Sequence, residues 1–228
     1  MISTLLNPYY TARKRSPQNV ISVHIPRTAG TSFKKTLDYV YGYSAVKTVY
    51  DEPTCKVFRA KQIPVIAKRT RVIHGHMPAN QQLIDHFKNP FLVTWIREPF
   101  DRAVSHYFYW KQMKYDGSAV HHKFLSNEYT LPQFVKEFHL QNQVASLFSY
   151  IPIEQFNFIG QVENYNQDLE RLSNVLHWKK TPVFKVNNAT KAYISESEKK
   201  ETINLLKKEY MIYDKALAII HQQNSLIR

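Results

Sequence analysis

The chain has 228 residues, 43% of them hydrophobic, with 31 Lys+Arg against 18 Asp+Glu for a formal net charge of +13, and a single cysteine. This length and composition fit one globular domain with a full core and exclude a disordered chain. Without a run of 18 apolar residues no membrane span is expected, the start MISTLLNPYYTARKRSP lacks the apolar core of a signal peptide, and the lone Cys55 excludes an internal disulfide. The charge is uneven. Residues 1–77 hold 13 Lys+Arg and 3 Asp+Glu, whereas residues 78–228 hold 18 and 15. A field concentrated in the first third attracts anionic ligands. The cations are dispersed and no nucleic-acid motif accompanies them, so nucleic acid is not the expected partner.

In chain order, residues 1–19 read as an arm and 20–228 as one domain. Val20 to Ile25 is apolar and β-branched, a buried strand. Pro26-Arg27-Thr28-Ala29-Gly30-Thr31-Ser32 follows as a small, hydroxyl-rich loop with one fixed cation, and a helix is expected over about 32–42. Strand, tight loop and helix N-terminus together form an anion cradle, because loop N–H groups and the positive end of the helix dipole both favour phosphate or sulfate. The G-x-x-x-x-G-K-[ST] of nucleotide triphosphatases is missing, which argues against a kinase on a related fold.

Residues 44–70 are irregular and basic, with room for one short strand and one helix. Arg71 to His74 reads as a second strand ending at Gly75-His76-Met77-Pro78, followed by a short helix at 80–87. Phe91 to Ile96 is a strongly apolar strand ending at Arg97. Pro99 suits the first turn of a helix reaching about Met113, with Phe100, Val104, Tyr107 and Phe108 on one face. Thr130 with Gln133 predicts a capping box and a helix to about His139. Phe156 to Gly160 is a further strand, followed by a helix over about 164–177. Ser195 with Glu198 predicts a second capping box, opening one long helix to about 222. Strands alternating with amphipathic helices imply an α/β domain with a mainly parallel sheet. Ligands in such sheets bind at the strands' carboxyl ends, where the cradle, His76 and Arg97 all fall. The aromatics Tyr107, Phe108, Tyr109 and Trp110 read as core, Gln141-Asn142-Gln143 as a solvated helix end, and His121-His122 as part of a polar loop.

Two runs, HIPRTAGTSF and IREPFDRAVSHY, resemble the paired phosphate-binding segments of sulfotransferases that use 3′-phosphoadenosine 5′-phosphosulfate. The first resembles the loop for the 5′-phosphosulfate. The second resembles the 3′-phosphate segment, in which Arg97 and a Ser on the next helix, Ser105, make the contacts. FIGQVENYNQDLERL (158–172) resembles a later Gly-x-x-Glu segment, and Lys185 to Lys191 a loop that closes over the donor. His74-Gly75-His76 is similar to a His-Gly-His of the heparan sulfate 2-O-sulfotransferase branch, whose second histidine is the catalytic base. An acceptor hydroxyl must lose its proton as it attacks sulfur, and imidazole suits that task near neutral pH.

The resemblance implies a three-layer, P-loop nucleotide hydrolase-like sulfotransferase fold. It implies donor contacts from Arg27, Thr28, Ala29, Gly30, Thr31, Ser32, Arg97 and Ser105, catalytic roles for His76 and Arg27, and no metal. Arg27 stands where most members carry Lys. The product would be adenosine 3′,5′-bisphosphate, and the acceptor a hydroxyl on a carbohydrate, anionic glycans included, or on a lipid or small metabolite. The expected location is the cytoplasm of a bacterium, or else the chain is a trimmed form of a Golgi enzyme. A basic polyanion-binding protein without activity is the non-enzymatic alternative.

Overall fold

The structure is a computed structural model and describes residues 18–184 and 193–225. Five strands are described: β1 (Val20–Val23), β2 (Val46–Val49), β3 (Val72–Gly75), β4 (Phe91–Ile96) and β5 (Phe158–Gln161). They pair in the order β2-β3-β1-β4-β5, every neighbour parallel. The central strands β1, β3 and β4 are buried at every position, as an all-parallel sheet covered on both faces requires.

Alternation along the strands divides the core. Val20, Val72, Val93, Trp95 and Phe158 point to one face and meet α1 (Gly30–Tyr41) through Phe33 and Leu37, and α8 (Tyr165–Val175) through Leu169 and Leu172. Ile21, Ile73, Leu92 and Ile159 point to the other. There they pack on α2 (Glu52–Arg59), α3 (Gln81–Phe87), α7 (Gln143–Leu147) and α10 (Lys207–Ser225). This is the expected three-layer α/β arrangement. A third cluster lies among α4 (Pro99–Gln112), α5 (Ala119–Leu125), α6 (Leu131–Glu137) and α9 (Glu196–Leu205). Tyr107 and Trp110 sit in that cluster, as core aromatics should, while Tyr109 is exposed.

Both capping boxes form, at Thr130–Gln133 and Ser195–Glu198. The second does not open one long helix. The chain bends at Leu206, which is fully buried against α4 and α6, while Ala216 and Ile220 on α10 pack under the sheet. A straight helix would present both sets along one line, and the bend lets each reach its own core. The pair His121-His122 lies in α5 rather than in a loop, with His121 buried and its Nε2 3.1 Å from the Trp110 carbonyl. Gln143 is not a solvated helix end, since its Oε1 accepts from Arg102 Nη1 at 2.7 Å. Arg102 also donates to Glu209 Oε2 at 2.9 Å, and Glu209 Oε1 accepts from the Val144 N–H, so a buried ion pair ties α4 to α7 and α10. Residues 1–17 of the expected arm lie outside the described residues, as does Lys185 to Lys191.

Candidate active site

The connections leaving β1 and β4, neighbours in the sheet, diverge to opposite edges, so a crevice opens above their carboxyl ends. The first residue past each strand forms a row in sheet order: Tyr50, His76, His24, Arg97 and Val162. Contacts follow that order. The His76 ring centroid lies 4.8 Å from those of both Tyr50 and His24.

The loop after β1 is turned by Arg27 (φ 71°) and Ala29 (φ 59°), both left-handed. Thr28 turns inward, its hydroxyl donating to the Ile25 carbonyl at 2.7 Å. The helix α1 begins at Gly30, two residues earlier than its hydrophobic pattern suggests, so Gly30, Thr31 and Ser32 form its first turn. Ala29 offers no side-chain cap, and the N–H groups of Gly30 and Thr31 have no carbonyl within the helix to bind. They point an uncompensated positive end at the crevice.

A small cavity of about 70 Å³ lies there, lined by His24, Arg27, Ala29, Gly30, Thr31, Ser32, Arg97, Ser105 and Val162. The structure thus brings loop residues together with Arg97 and Ser105, more than 60 positions away. Thr28 is not among the lining residues, nor is His76. At about 70 Å³ the cavity falls well below the roughly 300–1,000 Å³ of sites that enclose a small molecule, so it offers room for anionic groups and not for a nucleoside. A larger cavity of about 480 Å³ shares Val162 with it and is lined by residues 162–167 with Val183 and Phe184. Its volume falls in the range of small-molecule sites.

Arg27 crosses the small cavity. Its Nε donates to Ser105 Oγ at 3.1 Å and its guanidinium lies 4.3 Å from the Tyr109 ring centre. At the start of α4, Glu98 caps the helix through the Asp101 N–H, and the Glu98 N–H donates to Glu163 Oε1 at 2.9 Å. The Gly-x-x-Glu segment is thereby fastened to the Arg97 turn.

Three imidazoles meet beside the cradle. His24 and His74 stack with centroids 5.2 Å apart, and His74 Nδ1 lies 2.8 Å from Ser22 Oγ. Burial pushes His74 down to about 3, helped by the neighbouring His76, and His76 down to about 4, helped by Arg59. Burial also holds His24 well below the ordinary histidine range, with His74, His76 and Arg27 adding to the effect. All three are therefore neutral at pH 7. Among the described residues no group of three or more His, Cys, Asp or Glu is arranged to hold a metal ion.

The glycines here make room. A Cβ on Gly75 would stand 2.0 Å from the Val49 carbonyl oxygen of β2, and one on Gly30 would stand 1.9 Å from the His24 ring. His24, Tyr50 and Tyr109 are the site residues that sequence reasoning did not single out. The hydrophobic run places His24 inside a strand, whereas β1 ends at Val23.

A sulfotransferase from Alicyclobacillus acidocaldarius aligns over 92% of this chain and 97% of its own, at 13% identity and a TM-score of 0.47. A mouse sulfotransferase, SULT7A1, solved in complex with PAP, aligns over 86% of this chain and 64% of its own, at 13% identity and a TM-score of 0.41. No curated protein sequence matches the chain. No helix among the described residues is long and apolar enough to cross a membrane. The sequence model of the Sulfotransferase family matches residues 13–225, nearly the whole chain, and the protein belongs to that family of enzymes.

Proposed function

We propose that this sulfotransferase takes its sulfonate from 3′-phosphoadenosine 5′-phosphosulfate and passes it to an acceptor hydroxyl, with a carbohydrate as the first choice of acceptor. The observation that carries the donor assignment is the shared cavity, where Arg27 and the amides of α1 face Arg97 and Ser105. Two cations, a hydroxyl and a helix N-terminus suit a donor with phosphates at both ends of its ribose. The neighbouring cavity has the volume for its nucleoside. Residues 27 and 29–32 hold the 5′-phosphate, and Arg97 with Ser105 hold the 3′-phosphate. The Thr28 side chain contributes to the turn rather than to the ligand.

His76, neutral at pH 7, takes the proton from the acceptor hydroxyl as its oxygen attacks sulfur. The new S–O bond forms as the bond from sulfur to the bridging phosphate oxygen breaks, in line. Arg27, Thr31 and the loop amides stabilise the charge left on the phosphate. The carbohydrate preference rests on His74-Gly75-His76 alone.

Titration calorimetry with adenosine 3′,5′-bisphosphate and AMP tests the donor. The bisphosphate should bind more tightly, and Arg97→Ala should lose about 1.5–3 kcal/mol of that affinity. Equal affinities in the wild type would reject the assignment. Acceptors are then screened with radiolabelled sulfate donor.

A further inference from the structure

His24 is the one imidazole that lines the anion cavity, and nothing in the sulfotransferase reading so far uses it. In the row past the strand ends it stands between His76 and Arg97. Its ring lies over the first residue of α1, with Cε1 1.9 Å and Nε2 2.0 Å from where a Gly30 Cβ would be. Gly30 does not adopt a positive φ, so glycine there serves to admit the ring rather than to make a turn. Nε2 is buried and has no hydrogen-bond partner, and Nδ1 lies 3.4 Å from the Tyr50 hydroxyl. A buried polar atom left in this way is destabilising unless a ligand satisfies it.

We propose that His24 is a donor-contacting residue whose Nε2–H donates a hydrogen bond to the sulfonate being transferred. This rests on the donor assignment above. The sulfonate must lie between the cradled phosphate and the base, and His24 spans the gap between the cradle and His76. The proposal requires the tautomer in which the Tyr50 hydroxyl donates to Nδ1 and the ring proton sits on Nε2, facing the helix N-terminus. The ring stays neutral, so it gives a hydrogen bond without moving a proton. Burial and the Arg27 charge beside it both oppose a proton on the second ring nitrogen.

The proposal separates the sulfonated donor from its product, and binding alone reads that difference without an acceptor. Wild type should bind 3′-phosphoadenosine 5′-phosphosulfate about tenfold or more tightly than adenosine 3′,5′-bisphosphate. His24→Ala should abolish that preference and keep its bisphosphate affinity within about twofold of wild type. His24→Gln, whose side-chain amide also donates, should recover part of the preference. Three results would overturn the proposal: no preference in wild type, an unchanged preference in His24→Ala, or equal weakening of both ligands in His24→Ala and His24→Gln. If wild type binds neither nucleotide, the donor assignment itself falls, and this inference with it. Thermal unfolding of each variant confirms that the fold is intact.

Discussion

Arg27 and Ser105 are 78 residues apart in the chain and touch across the cavity, Nε to Oγ at 3.1 Å. The cation of the loop after β1 thus occupies a hydroxyl of α4. An anion entering the cavity would compete for both groups, so the contact couples the loop after β1 to α4.

Arg27→Ala removes a cation whose charge matters most when the phosphate leaves, but it also releases Ser105 for the ligand. Turnover should fall by about tenfold or more, while bisphosphate affinity changes little. Arg27→Lys should keep substantial activity. Steady-state kinetics beside calorimetry checks this, and a raised KM with unchanged kcat would reduce Arg27 to a binding residue.

His76→Ala should lower turnover by about 10²–10⁴ with bisphosphate binding nearly intact. Burial places the His76 pKa at about 4, and the imidazole accepts a proton only above its pKa. The acid limb of kcat/KM, which reports the free enzyme, should therefore fall near pH 4 rather than near 6.5. The donor's negative charge favours imidazolium, so the acid limb of kcat should lie at higher pH. A wild-type profile without an acid limb, or near-normal turnover in His76→Ala, removes His76 as the base and makes Glu163 the next residue to test.

Gly30→Ala places a methyl group where the His24 ring now lies. The ring must move, so the variant should lose the preference for the sulfonated donor. In a double-mutant cycle, Gly30→Ala should cost less in the His24→Ala background, where the ring is gone. Additive losses would show that Gly30 acts on the ligand directly.

The Arg102–Glu209 pair is 2% and 1% exposed in its side chains. Glu209→Gln leaves the Arg102 charge buried without a counter-charge, which typically costs about 3–5 kcal/mol. Replacing both residues by Met should cost less than the single change. Urea unfolding measures both, and a loss below about 1 kcal/mol for Glu209→Gln would show that the pair is solvated.

Four strands were legible because a parallel sheet buries both faces, whereas the edge strand β2, buried only at Val49, lies in a stretch that reads as irregular. Phe91 to Ile96 therefore reads as strand at every position, and Arg97 marks where burial stops. The cradle was legible because small residues, a cation and a helix start follow one another within 14 positions. The bend at Leu206 was not, because the helical period carries through it and only the separation of two cores demands it. His24 was hidden for a related reason. Its apolar neighbour Ile25 extends the hydrophobic run, so the pattern carries the strand over a residue that faces the crevice. Contacts such as Arg27 with Tyr109 depend on how α4 lies over the loop, and local sequence does not carry that.

Arg27 and Ala29 hold left-handed backbone that costs an L-residue about 1–2 kcal/mol. The surrounding packing must enforce that shape, and the side chains then deny the loop many of the alternatives a glycine would allow. Little conformational entropy would remain to be lost on binding of the proposed anion at the α1 amides. Ala29→Gly would relieve the Cβ penalty and widen the ensemble at the same time. Calorimetry should then show a more unfavourable binding entropy and weaker bisphosphate affinity, with the hydrogen-bonding groups at the cavity unchanged. In this loop, a locally unfavourable conformation keeps the receptor ordered before its ligand comes.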